Sequence, residues 1–212
     1  MKLLILGASG RTGVLVAQEA LTRSHEVKAI VRNKEKISIP GIECYEGVPS
    51  DVTLIKKAMK EVDAVVCCLN VARQSDFPWA KIVSPETLIS DTIKTLISVM
   101  GEMNVKRIVT MSAWGVGDSL HQMNWMFKFL IQHSNIRFAY NDHNRQEDLL
   151  KKSSLNWTIV RPVFLNNKDT ASYQIASGKP KTTGISRKAV AKFIVDIIEK
   201  NSFIREAPVI NQ

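Results

Sequence analysis

Short β-branched and aliphatic runs alternate with longer amphipathic stretches through the first two-thirds of the 212-residue chain. Residues 2–6, 26–31, 42–45, 64–69, 107–111 and 157–160 read as strands. Several of these runs are continuously apolar, as expected of parallel strands covered on both faces. Between them, apolar positions at helical spacing predict helices over 12–22, 53–60, 86–103 and 141–152. This rhythm predicts the α/β class, with a doubly wound parallel sheet and right-handed crossovers. Ser186 begins another capped helix that ends near Lys200, followed by a short last strand at 208–210. No linker or internal repeat divides the chain, so a single domain over 1–212 is expected, with small C-terminal elements on the substrate side. Segment 114–139 breaks the rhythm. It carries Trp114, Met123, Trp125, Met126, Phe127 and Phe129 and follows the carboxyl end of a strand, where open α/β sheets place their ligands. It reads equally as a substrate-covering insertion and as a helix packed on the core.

Composition narrows the class. A chain of this length buries roughly 70% of its unfolded surface, so it needs no disulfide or metal staple. Cys44, Cys67 and Cys68 are odd in number and stand in no spaced Cys/His cluster. They read as small buried hydrophobes in a reducing compartment, with no metal site. The chain starts on a strand without a signal-peptide pattern, and no apolar stretch approaches the ~20 residues of a membrane span. A soluble, cytoplasmic protein without a membrane partner is expected. The net charge of +9 comes from Lys and Arg spread along the chain, with no basic run interleaved with aromatics. That pattern argues against nucleic acid as a partner and suits a multiply anionic small molecule. Oligomeric state is left open.

The sharpest chemical signal is Gly7-Ala8-Ser9-Gly10-Arg11-Thr12-Gly13, placed between the first strand and the first helix. In a dinucleotide-binding turn, Gly7 permits the tight bend and Gly10 admits the diphosphate to the backbone. Gly13 lets the helix lie close to the sheet. The N–H groups of such a loop and the positive helix end hold the phosphates. A bare glycine-rich turn is the alternative. At the end of the second strand, an NAD site typically carries Asp or Glu for the ribose 2′-hydroxyl, and this chain has Arg32. A guanidinium pairs with a 2′-phosphate, so NADP(H) is favoured over NAD(H). Arg11 lies in the nearby loop, while a plain surface role for Arg32 is the competing reading.

The glycine loop, Val31-Arg32-Asn33, Asp63-Ala64-Val65-Val66, Thr110-Met111-Ser112-Ala113, Asp142-His143, residues 155–162 and Ile185-Ser186 together resemble the atypical short-chain dehydrogenase/reductases. Within them the chain is most similar to the NmrA-like NAD(P)H-binding group, near the NADH-flavin reductases and biliverdin-IXβ/flavin reductases. The resemblance spans nearly the whole chain. It implies a Rossmann fold, a cofactor lined by Leu69 and Asn70 next to the loop that contributes Ser9 and Thr12, and backbone contacts from Pro162 and Val163 to the nicotinamide. It places Ser112 beside the nicotinamide, where a hydroxyl could donate to an acceptor oxygen; a local backbone cap is its other reading.

Two departures stand out. The family's Tyr-x-x-x-Lys pair falls on Ala139 and His143, and Tyr140 is one position out of register, about 100° around a helix. Val48 replaces an Asp that often contacts adenine. His143 is the remaining proton-transfer candidate near neutral pH; otherwise it is a helix histidine bonded to Asp142 or Glu147. His121 and His133 are weaker candidates. The expected activity is NADPH-dependent hydride transfer to a flavin, quinone or carbonyl acceptor, with flavin as substrate. A nonenzymatic NADP(H) sensor is the alternative.

Overall fold

A computed structural model describes residues 1–212. Six parallel strands form the body of one sheet: β1 (Lys2–Leu6), β2 (Glu26–Val31), β3 (Ile42–Glu46), β4 (Ala64–Cys67), β5 (Arg107–Met111) and β6 (Asn156–Pro162). The helices between them are α1 (Gly13–Thr22), α2 (Val52–Ala58), α3 (Leu88–Glu102), α4 (Trp125–Gln132) and α5 (Ile136–Lys151). Downstream lie β7 (Phe164–Asn166), β8 (Gln174–Ile175), β9 (Gly184–Ser186), α6 (Arg187–Glu199) and β10 (Val209–Asn211). Strand order across the main sheet is β3-β2-β1-β4-β5-β6-β10-β8, in which β10 is parallel to β6 and β8 antiparallel to β10. The first six follow the Rossmann order, which reverses direction between β1 and β4 and opens a crevice there.

Burial explains the continuously apolar strands. Leu3, Ile5, Val66 and Val109 pack toward α1 and α6, whereas Leu4, Leu6, Val65 and Ile108 pack toward α2 and α3. Each strand therefore needs apolar residues on both faces. Cys67 sits within this core, where burial pushes its thiol up to about 12.

The structure corrects several boundaries. β4 ends at Cys67, so Leu69 belongs to the loop leaving the sheet. α5 begins at Ile136, five residues before the expected start, because the aromatic run masked the helical spacing of its first turn. Segment 114–139 divides by depth. Trp114, Met123 and Ile131 join the core, while Trp125, Met126 and Phe129 on α4 stay exposed. The small pair β7–β9 and edge strand β8 account for the C-terminal elements, which had no sequence periodicity to announce them.

Candidate functional site

Glycine geometry builds the loop after β1. Gly7 turns the chain at φ +83°, and a Cβ there would stand 3.0 Å from the carbonyl of Cys68. A Cβ on Gly13 would stand 2.1 Å from Gly7 O, so α1 starts in direct contact with the turn. Gly10 is different: its Cβ would meet only Gly7 O, at 3.2 Å, leaving the outer side open. The backbone N–H groups of Ser9, Arg11, Thr12 and Gly13 find no acceptor within the protein. Thr12 provides no side-chain cap, whereas Asp51, Asn124 and Ser186 cap α2, α4 and α6. Orphan donors at the positive end of a helix, on a surface kept free of side-chain bulk, fit the diphosphate of a dinucleotide.

The two arginines expected near the ribose differ in state. Arg32 leaves β2 exposed and takes part in none of the chain's ion pairs. Arg11 is engaged by Asp76 through two bonds of 2.7 Å. Asp76 sits at the tip of a hairpin that leaves the carboxyl end of β4 past half-buried Leu69 and exposed Asn70. Its arms join through Gln74 N–H to Lys81 C=O and Val83 N–H to Ala72 C=O, both 2.9 Å. The other side of the tip is tied to the α4–α5 junction. Trp79 Nε1 donates to His133 C=O at 2.9 Å, and Asn135 donates to the carbonyls of Pro78, Trp79 and Ala80. The hairpin thus spans the crevice from the glycine loop to the insertion. At the end of β6, Pro162 C=O accepts from Trp114 N–H (2.9 Å) and Val163 N–H donates to Ile210 C=O (3.1 Å). Val48, where an adenine contact was expected to be missing, is exposed.

Beyond β5 the side chains are polar and buried. Ser112, 4% exposed, donates from Oγ to Glu147 Oε1 at 2.8 Å. Arg161 reaches the same carboxylate through Nε (3.0 Å) and Nη2 (2.5 Å), and Nη2 also donates to Asp118 at 2.6 Å. Lys151 Nζ adds a contact of 3.2 Å. Burial opposes ionisation of Glu147, but the bonds from Arg161 and Ser112 outweigh it and hold the carboxyl below its ordinary range. Ser112 thus has a buried carboxylate as its partner rather than a backbone cap.

His143 lies one helical turn before Glu147, and its Nδ1 is 2.7 Å from Gln146 Nε2. Burial pulls the ring down to about 4 against the attraction of Glu147, so it is uncharged at neutral pH. That removes the imidazolium acid the sequence allowed, and it replaces the expected partners Asp142 and Glu147 with Gln146. Asp142 instead accepts from Ile89 N (2.7 Å), Ser90 N (3.3 Å) and Ser90 Oγ (2.5 Å), capping α3 from another helix. Tyr140 donates to Trp114 C=O at 3.0 Å and is pushed up to about 12 by burial, a fixed structural hydroxyl. His121 and His133 are exposed in the insertion.

Gln146 and Asp76 escaped the sequence reading, and Glu147 and Arg161 entered it only as a neighbour of His143 and as part of a motif, with no role in the site. A signal did exist. Buried positions Asp142, His143, Gln146, Glu147 and Leu150 follow helical spacing, but four of the five are polar, so a search for an apolar stripe passes over them.

A family model described as NAD(P)H-binding matches residues 7–201. YwnB of Bacillus subtilis is 28% identical over 179 residues, covering 82% of this chain and 78% of its own. Among solved structures, ChuY, an anaerobillin reductase from Escherichia coli O157:H7, superposes with a TM-score of 0.80 at 17% identity, covering 99% of this chain and 96% of its own. A short-chain dehydrogenase/reductase from Veillonella parvula in complex with NADP gives 0.77 at 19%, covering 100% and 94%. At these identities the two structures share the fold.

Proposed function

The chain belongs to the NAD(P)H-binding family, a family of oxidoreductase folds, and on that premise we propose that it is an NADP(H)-preferring reductase of a planar, conjugated acceptor such as a flavin or quinone. The observation that carries the reading is the glycine cradle, with four unpartnered N–H groups beside an unpaired Arg32. In this reading Gly7, Ser9, Gly10, Arg11, Thr12 and Gly13 hold the diphosphate, and Arg32 takes the 2′-phosphate. Leu69, Asn70, Pro162 and Val163 line the crevice toward the nicotinamide. The bound dinucleotide supplies the hydride; the protein orients the two rings and excludes water.

Three observations support a flat acceptor. Exposed Phe77 and Trp79 lie on the hairpin after β4, Trp125 and Phe129 on the insertion after β5, and Phe164 on the strand after β6. All three segments leave the carboxyl edge of the sheet. Ala139 stands where the family has its tyrosine, so the acceptor is one whose reduction needs little proton transfer from the protein. The NADP bound by the Veillonella neighbour and the reductase activity named for ChuY agree with this class.

The test is direct. Purified protein should bind NADPH saturably and oxidise it when FMN or a quinone is supplied. Binding without turnover across flavins, quinones and aldehydes would move the reading to the sensor alternative, for which a partner's affinity should differ between NADPH and NADP⁺. Absence of any saturable binding would end both.

A further inference from the structure

We infer that Gln146 fixes His143 as the Nε2–H tautomer, making it a rigid, uncharged hydrogen-bond donor for a carbonyl oxygen bound in the crevice beyond β5. The identity of what binds there rests on the function proposed above; the tautomer rests on geometry alone.

Met111 C=O can only accept. The Gln146 atom 2.7 Å from it is therefore the amide nitrogen, not the amide oxygen. That same nitrogen lies 2.7 Å from His143 Nδ1. An amide nitrogen donates and offers no lone pair, so Nδ1 must be the bare acceptor and the ring proton must sit on Nε2. An imidazolium would set N–H against N–H at this contact. The neighbouring Asp142 carboxylate is spent on α3, and Glu147 is the one charged group that pulls on the ring.

Nε2 has no partner in the protein. Its surroundings follow from the direction of α5, which returns antiparallel to β5 because β5 and β6 are parallel. Glu147 reaches Ser112 just past the strand, and Tyr140 reaches Trp114 farther out. His143 lies between them on the Glu147 face, one turn beyond Ser112 toward the crevice. His143 is 5% exposed and its Nε2 is not sealed from the surface, so the N–H is accessible to a bound carbonyl oxygen, which would accept it. Two such oxygens exist in the proposed complex: the nicotinamide carboxamide and the acceptor's own carbonyl.

The first measurement needs no ligand. ¹⁵N NMR of the free protein should show a neutral, Nε2-protonated His143 at pH 7; the Nδ1–H form or an imidazolium overturns the inference. Gln146→Met keeps the bulk and removes the lock, so it should yield a mixture of tautomers. A tautomer unchanged in that variant would remove Gln146 from its role. With ligands, His143→Phe should cost at least about tenfold. The loss should fall on NADPH affinity if the carboxamide is the recipient, or on the FMN reduction rate at saturating NADPH if the acceptor is. His143→Gln, which restores an N–H donor, should recover most of it. No change in either quantity overturns the donor role. Failure of the wild-type protein to bind NADPH would instead sink the functional reading and leave the NMR result standing.

Discussion

Gly10 and Gly13 look equivalent in the sequence, yet the space around them separates their jobs. A methyl on Gly13 would meet Gly7 O at 2.1 Å, a backbone atom that cannot give way. Gly13→Ala should therefore destabilise the protein by about 1–3 kcal/mol or more, read as a lower denaturation midpoint. Gly10→Ala, whose methyl meets Gly7 O at the looser 3.2 Å and otherwise enters the open face of the cradle, should lose much less stability than Gly13→Ala while losing NADPH binding. Equal stability losses in both variants would contradict this division. Arg32→Asp should shift the NADPH/NADH affinity ratio toward NADH by roughly ten- to a hundredfold, the worth of one charged hydrogen bond of about 1.5–3 kcal/mol. An unchanged ratio would assign the 2′-phosphate elsewhere. The glycines were legible because turn chemistry is local. Asp76 and Gln146 were not, because their partners Arg11 and Met111 lie 65 and 35 residues away.

Among the elements, α1, α3 and α6 and all six central strands fell within a few residues of their expected positions, since each carries a full apolar period. Strands of two or three residues such as β7, β8 and β9 have no period to read. α6 carries a measurable polar contact as well. Asp196 accepts from Arg23 (2.7 Å), Lys192 (2.8 Å) and Tyr173 (2.6 Å), joining α6 to α1 and to the segment before β8. Burial opposes its ionisation, but those bonds hold it at about 2. Its folded value lies below the unfolded value of about 3.9, so its contribution is complete above pH ~4 and disappears as pH falls toward 2. His143 works in the window above. Its folded value of about 4 lies below its unfolded value of about 6.5, so only the unfolded chain gains the proton between those values, and stability falls across that interval. Acid titration of unfolding free energy should thus decline in two stages, with His143→Gln flattening the upper and Asp196→Asn the lower. A single stage in the wild type, or variants that leave both slopes intact, would show that other groups govern acid stability.

At the scale of the molecule, doubly wound topology was predictable from the alternation of strands and helices, and with it the crevice between β1 and β4. What the rhythm could not supply was the covering of that crevice, because hairpin and insertion are joined by contacts between loops. The +9 charge also acts at this scale. Added salt should weaken NADPH binding more than NADH binding, because the extra phosphate is attracted by exposed cations that mobile ions screen. Parallel salt slopes for the two coenzymes would count against a charge-reading site.

The hairpin after β4 is moored unequally. Toward the glycine loop it has one ion pair whose side chains are 59% and 74% exposed, a link worth about 0–1 kcal/mol. Toward the α4–α5 junction it has a cluster of hydrogen bonds around Asn135 and Trp79. Thermal opening should start at the weaker mooring, as a door hinged at the insertion that gapes first beside the glycine loop, where the proposed reading puts the diphosphate. Coenzyme should accordingly arrive before acceptor, giving a compulsory-order pattern in initial-rate kinetics, and Asp76→Asn should quicken NADPH capture in stopped-flow traces while leaving that order intact.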